Sequence, residues 1–205
     1  MDVGVSRPGM LMTDQSGQRS RGRLCNPSAP LATLMLMSIA TWNVWGLSLS
    51  AGNLKTELIV DQMIDFKVDI CALQETKTVV SDEMLVKGYK VILMGSNCRH
   101  YGLGFIVSPR LKDYVVSYQY ISDRVSVLDL RLPTRNGKFK LFRYVNAYGP
   151  TSPRVQKKGI GYLKLFYTQL TKALKVPARY ELFILGDLNA KLGNLIVGMK
   201  SRMDS

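Results

Sequence analysis

The sequence predicts an α/β protein containing at least one mixed β-sheet, because two strand patterns and a helical pattern coexist in it. Brief, largely apolar runs such as DICAL at 69–73 read as strands buried on both faces. Elsewhere Val125 and Val127 alternate with polar residues, as in a strand buried on one face. Two longer stretches, 54–66 and 159–174, instead space their apolar residues as helices do. Helices mixed with strands of both kinds are the pattern of packed α/β layers.

In chain order, residues 1–37 are rich in Gly, Ser, Arg and Pro and read as a flexible basic leader. The apolar run at 31–40 (LATLMLMSIA) imitates a signal segment or membrane anchor. Thr41, Asn43 and Gly46 interrupt it before the roughly 18 residues that a span requires. The reading adopted is a buried first strand over 38–44, with no membrane as partner. Asn53 is placed to cap a helix over 54–66, where Ile59, Met63 and Phe66 recur at i, i+4 and i+7 beside Val60 and Ile64. Buried strands follow at 69–73, 89–94 and 102–108. The runs 114–121 and 124–132 read as neighbouring strands. In the second, the apolar phase moves from Val125 and Val127 to Leu128, Leu130 and Leu132, which suggests a bulge. Asn136-Gly137 signals a hairpin turn ahead of a strand over 139–147. A helix over 159–174 turns Leu163, Phe166 and Leu170 inward and is stopped by Pro177, and 181–185 is a last apolar strand. The expected organisation is the leader, a domain over 38–196 and a tail over 197–205.

At 205 residues, 46% hydrophobic and 21% charged, the chain has the size of one domain and the content of a filled core, which excludes a disordered chain or a repeat array. Lys and Arg number 28 against 15 Asp and Glu, a formal charge of +13 that makes polyanions the default partner class. Cys25, Cys71 and Cys98 are odd in number and form no C-x-x-C pair, so neither a disulfide framework nor a zinc cage is suggested and a reducing intracellular compartment fits. With His100 the sole histidine, a Ser-His-Asp site or a histidine metal cluster would rest on one residue.

Three segments share a design: SIATW runs into Asn43, DICALQ into Glu75, and ELFILG into Asp187 with Asn189 two residues on. Each offers a carboxylate or amide where a buried strand stops, and ligand sites of open α/β sheets gather outside the carboxyl ends of strands. For any one of these residues alone, turn formation at a strand end is the commoner explanation. Together they suit a phosphodiester. Glu75 can hold a hard cation such as magnesium, which takes few protein carboxylates and keeps its waters. Asp187 can orient or deprotonate a water, and Asn189, Asn43 and the Tyr148 hydroxyl can donate to phosphate oxygens.

Read in order, TWNVWGL (41–47), ALQET (72–76), YGLGFIVS (101–108), ISDRV (121–125), VNAYGPT (145–151) and ILGDLNAKLG (184–193) resemble the endonuclease/exonuclease/phosphatase superfamily. Within it they resemble the apurinic-endonuclease-like domain of LINE-type, RTE-like non-LTR retrotransposons and proteins derived from them. The resemblance implies a four-layer α/β sandwich of two packed mixed sheets, DNase I-like, with hydrolysis of phosphodiesters dependent on magnesium or manganese. It implies that Asn43 belongs to the first motif, that Glu75 ligates the metal, that Tyr148 lies at the phosphate, that Asp187 positions the water and that Asn189 stabilises the charged transition state. Two departures stand out. Trp45 occupies a position where the family often has Asp, Asn or Arg, and 200–205 lack the Asp and terminal Asp-His pair that end the family pattern. The resemblance therefore implies a fold lacking its last strands, with weak or no activity.

Between Asp129 and Glu181 there is no acidic residue, while twelve Lys and Arg account for nearly all of the net charge. They include Arg131, Arg143, Arg154, Lys157, Lys158 and Lys164, which are read as contacts to a DNA phosphate backbone. A DNA endonuclease-like domain with weak or no activity, intracellular and nuclear, is the leading expectation. The alternatives are a catalytically inactive nucleic-acid-binding or protein-interaction module of the same fold, and a small-substrate phosphatase, for which so long a basic run is unnecessary.

Overall fold

The computed structural model describes residues 37–47, 54–96, 100–134 and 136–190. The expected leader up to residue 36, the Asn53 cap and the tail over 197–205 lie outside the described residues. The elements run β1 (Ile39–Asn43), α1 (Leu54–Asp65), β2 (Ile70–Gln74), β3 (Asp82–Val86), β4 (Tyr89–Met94), β5 (Leu103–Val107), β6 (Val115–Ser122), β7 (Val125–Pro133), β8 (Phe139–Tyr148), α2 (Ser152–Lys158), α3 (Ile160–Leu174) and β9 (Tyr180–Asp187).

Alternation along the strands builds the layers. In β2, Ile70 and Ala72 face the second sheet, while Cys71 and Leu73 face α1 and pack with Ile59, Val60 and Met63. In β7, Leu128, Leu130 and Leu132 meet Ile70, Ile92 and Phe105 of the first sheet, and Val125 and Val127 turn to Phe166, Leu170 and Ala173 of α3. The result is helix, sheet, sheet, helix. The first sheet has the order β1-β2-β5-β4-β3 and the second β6-β7-β8-β9. Both are mixed: β1 pairs parallel to β2 and β8 parallel to β9, and the other pairings are antiparallel. The predicted four-layer sandwich is therefore the observed fold. Cys71 is packed within it, and burial pushes its thiol up to about 12, which keeps it unreactive.

Five details differ from the sequence reading. β1 and β9, expected as buried strands, are the outer strands of their sheets on the side of the site and contain no buried residue. Phe66 is 72% exposed and Ile64 is exposed too, because α1 ends at Asp65, Lys67 turns the chain at φ 53°, and the buried stripe is Thr56, Ile59, Val60 and Met63. The bulge expected in β7 is absent: its register with β8 runs unbroken, and the irregularities fall in the β6–β7 pairing. The apolar phase shifts because β7 is covered on both faces, so either parity can carry the apolar residues. β3 escaped the sequence reading because an exposed edge strand with two acids needs little apolar alternation. α2 escaped it because it buries no residue, although Pro153 in its first turn is a helix-start signal.

Between the sheets, directly beneath the ends of β1, β2 and β8, lies a buried amide pair. Gln74 Nε2 donates to Asn146 Oδ1 at 2.8 Å, and Asn146 Nδ2 donates to the carbonyls of Leu73 and Gly104 at 2.9 and 3.1 Å. Thr41 Oγ1 donates in turn to Gln74 Oε1 at 3.1 Å. Buried polar groups are costly unless paired, so this network allows one relative placement of the two sheets. Asn146→Ala is expected to lower stability by about 1–3 kcal/mol, the cost of unpaired buried polar groups. The check is a lower urea midpoint at unchanged slope, and an unchanged midpoint would contradict the role given to the pair.

Candidate active site

Parallel pairing delivers four strand ends to one place. Asn43 lies beside Gln74 in the register of β1 and β2, so Glu75 emerges next to it, and Tyr148 lies beside Asp187 in the register of β8 and β9. The side chains then meet across the sheets. Asn43 Nδ2 lies 3.0 Å from Glu75 Oε1 and 3.3 Å from Asp187 Oδ2, so a single amide touches both carboxylates. The Tyr148 hydroxyl donates to Glu75 Oε1 at 2.6 Å, and Lys77 Nζ stands 3.9 Å from Glu75 Oε2. Asn189 joins through its backbone N–H, which donates to Asp187 Oδ1 at 3.0 Å, while its amide donates to the Gly149 carbonyl at 2.9 Å. The structure thus places Asn43, Glu75, Tyr148, Asp187 and Asn189 together.

The backbone holding these groups is unusual. Trp45, Glu75, Lys77 and Asn189 take φ of 44°, 54°, 57° and 49°, a left-handed region that side chains other than Gly and Asn seldom occupy. Hydrogen bonds fix these turns: Gly46 N donates to Glu75 O at 2.6 Å, Leu47 N to Thr76 O at 2.7 Å, Thr76 N to Gly102 O at 3.1 Å and Lys77 N to Tyr101 O at 2.6 Å. Two glycines permit the close approaches. At Gly102, φ 100°, a Cβ would come within 2.4 Å of Thr76 Oγ1, and at Gly186, φ 136°, within 1.9 Å of the Ala147 carbonyl oxygen. The second brings Asp187 tightly against β8.

Behind Tyr148 sits Arg124, a residue whose role the sequence reading missed although it quoted ISDRV. It is 5% exposed, and its guanidinium donates to the Tyr148 and Gly149 carbonyls, both at 2.9 Å, and to the Tyr162 hydroxyl at 2.8 Å. It also lies over the rings of Tyr101, Tyr148 and Tyr162 at 4.5, 4.8 and 5.4 Å. Arg154 of α2 bonds the Tyr101 hydroxyl from outside. The signal available was a charged residue opening a strand otherwise nearly all apolar.

The basic run separates into two groups. Arg154, Lys157 and Lys158 lie on α2, a few residues after Tyr148, with Lys158 over Tyr162 at 4.8 Å, and Lys164 is exposed on α3. Arg131 and Arg143 are not brought to the site. Arg131 is six residues along β7 from Val125, roughly 20 Å, with its guanidinium over Phe139 at 4.2 Å. Arg143 makes a two-pronged pair with Asp129, both contacts 2.7 Å. His100 lies exposed in the turn before Tyr101. A concavity of about 770 Å³ opens at the opposite end of the first sheet, beside Asp69 and Arg110, and no predicted site residue lines it.

This arrangement agrees with what the chain matches. The model of the Endonuclease/Exonuclease/phosphatase family matches residues 40–196, which is most of the chain. The chain belongs to this family. It is 27% identical over 194 residues to craniofacial development protein 2 of Bos taurus and 26% identical over 194 residues to that of Tragulus javanicus. These matches cover 94% of this chain but 29% and 30% of those proteins, so the chain spans under a third of the curated relatives it matches. In fold it is similar to the catalytic domain of Xenopus laevis APE2, with a TM-score of 0.55 at 17% identity, covering 75% of this chain and 59% of that one.

Within this family fold, the donor set suits a hard divalent cation in a limited way. Among the described residues no group of three or more His, Cys, Asp and Glu gathers, but the Glu75 and Asp187 carboxylates share one amide neighbour, and magnesium needs only one or two carboxylates. Among the described residues no helix is long and apolar enough to cross a membrane. Partial burial pushes the Glu75 carboxyl upward, but the bonds from Tyr148 and Asn43, with Lys77 and Arg154 nearby, outweigh it and hold the pKa below its ordinary value. Burial and the bond to Glu75 push Tyr148 upward, so it remains a protonated donor at neutral pH.

A carboxyl whose pKa is lowered by folding stabilises the fold above its ordinary value of 4.5 and ceases to do so as pH falls through the folded pKa. The stability gap between wild type and Glu75→Gln is therefore expected to be largest near neutrality and to close in acid. Urea midpoints taken across that range test this, and a gap that does not change with pH would contradict it.

Proposed function

We propose that this domain is a magnesium- or manganese-dependent phosphodiesterase-like domain with at most weak DNA-nicking activity, of the kind found in LINE-type retrotransposons and proteins derived from them. The observation that carries the reading is the Asn43 amide held between the Glu75 and Asp187 carboxylates, with the Tyr148 hydroxyl on Glu75. Glu75 holds the cation, which when bound supplies Lewis-acid stabilisation of charge on a phosphate oxygen. Asp187 orients the attacking water and accepts its proton. Asn43, Asn189 and Tyr148 supply donors to the phosphate oxygens, where charge develops in the transition state. Arg154, Lys157, Lys158 and Lys164 follow the DNA backbone beside the site, while Arg131 and Arg143 meet it only on a longer path, and Arg143 only by loosening its pair with Asp129. A DNA substrate implies a nuclear location.

A second reading, a nucleic-acid-binding module of the same fold without turnover, draws on the same amides. Asn43 and Asn189 both donate to protein acceptors, so a phosphate must displace those bonds before it receives them. The basic residues beside the site favour either of these over a small-substrate phosphatase.

Supercoiled plasmid is expected to be nicked with Mg²⁺ and not with EDTA, and Glu75→Gln and Asp187→Asn are each expected to slow nicking by about 10²-fold or more. Undiminished nicking in both variants would show that the site is elsewhere, and salt-sensitive binding without nicking would establish the second reading. Changing Arg154, Lys157 and Lys158 together to Glu is expected to weaken DNA binding and flatten its salt dependence. Binding that is unaffected would remove α2 from the interface.

A further inference from the structure

We propose that Trp45 is a stacking platform for an unpaired nucleobase beside the phosphate site formed by Asn43, Tyr148 and Asn189, so that the site prefers nucleic acid with unpaired bases to an intact duplex. This rests on the reading of that group as a phosphodiester site. Trp45 is 78% exposed, and an indole is among the side chains that most favour burial. The exposure does not come from a loose loop. Val44 and Leu47 on either side are buried, and the backbone N–H groups of Val44, Gly46 and Leu47 donate to the carbonyls of Gln74, Glu75 and Thr76 at 2.9, 2.6 and 2.7 Å. Trp45 N donates to Asn43 Oδ1 at 3.3 Å, and the residue is held at φ 44°, a conformation costly for a bulky side chain. The turn that aims Asn43 at the carboxylates is the same turn that holds the indole out in water.

The surroundings of the ring indicate its occupant. Lys77 Nζ lies 5.2 Å from the ring centroid on one face and 3.9 Å from Glu75 Oε2, so positive charge sits between the indole and the phosphate site. Most of the residue's surface is open to solvent, which leaves ring area available for stacking. Trp45 is two residues from Asn43, a backbone reach of at most about 7 Å, which is the scale of one nucleotide from phosphate to base. A flat aromatic face beside a phosphate site and a cation matches the chemistry of a nucleotide: base on indole, phosphate on the donors. In the interior of a duplex both faces of each base are already covered by neighbouring bases. Away from duplex ends, only an unpaired or frayed base can therefore lie on Trp45.

The test is binding in EDTA, which requires no turnover. Three probes are used: an oligothymidylate, the same sugar-phosphate strand without bases, and a blunt duplex. Oligothymidylate is expected to quench tryptophan emission, with the quenched component missing in Trp45→Phe, since Trp42 is the only other tryptophan. Trp45→Ala is expected to weaken oligothymidylate binding by roughly ten-fold or more, the usual effect of losing a base–aromatic stack, with Trp45→Phe in between. Neither change is expected to alter binding of the baseless strand, and wild type is expected to bind oligothymidylate more tightly than duplex at equal salt. Equal losses on both strands, no quenching by oligothymidylate, or tighter duplex binding would each overturn the proposal. Nicking that persists without a Trp45 effect would remove the stack and leave hydrolysis standing, whereas quenching without nicking would do the reverse.

Discussion

The contact between Gln74 and Asn146 is the constraint on which the rest of the molecule depends. Asn43 and Glu75 belong to one sheet, Tyr148 and Asp187 to the other, and no local sequence preference aligns two sheets whose buried contact is otherwise apolar, through Ile70, Ala72, Phe105, Leu128 and Tyr144. Apolar packing tolerates sliding, because its attraction is not directional. A buried amide pair does not, because a small displacement leaves donors and acceptors unpaired in an environment without water. Asn146 sits two residues before Tyr148, and Gln74 directly before Glu75. The residues that align the sheets are therefore next to the residues that form the site.

The second organising feature is the placement of positive charge. Arg124 is buried among three tyrosines and tied to two carbonyls, so it fixes the course of β8 into Gly149 as well as contributing field. Its charge and that of Arg154 also act on Tyr101: burial pushes that phenol upward, but bonds with Tyr162 and Arg124 and the two arginine charges bring it below its ordinary value. Lys77 and Arg154 likewise favour the ionised form of Glu75. Lys77 and Arg154 thus set positive charge around Glu75, an arrangement suited to receiving an anionic substrate while that carboxylate stays ionised. The formal excess of +13 thus acts through a few residues, since part of the basic run is neutralised locally, as in Arg143 with Asp129 and Lys140 with Glu181.

Much of the fold was legible because apolar runs report burial directly: β2, β4 and β5 carry little that water would favour. Glu75 and Tyr148 were legible for a similar reason, since polar residues at the ends of buried strands have few other places to go, whereas Asn43, Asp187 and Asn189 belong to partly exposed outer strands and were legible through their motifs. What escaped has physical causes. β3 and α2 are exposed and so leave little trace in apolar patterning, and Phe66 belonged to the helical spacing but fell just past the helix end. Arg124 looked like any basic residue, because a buried guanidinium is recognised by the carbonyls and rings around it, which lie far away in sequence, from Tyr101 to Tyr162. Sequence proximity also overstated the basic run: β7 and β8 carry Arg131 and Arg143 away from the strand ends as surely as they bring Tyr148 to them.

The central claim is that one cation site forms at Glu75, between strand ends supplied by two sheets. Crystals soaked in Mn²⁺ and measured at the manganese absorption edge test it most directly, since anomalous density locates the ion without reference to activity. The account predicts a single strong peak against the Glu75 carboxylate, on the side facing Asp187, and its disappearance in Glu75→Gln. A peak elsewhere, for instance beside Asp69 or Asp129, with none at Glu75 would contradict it.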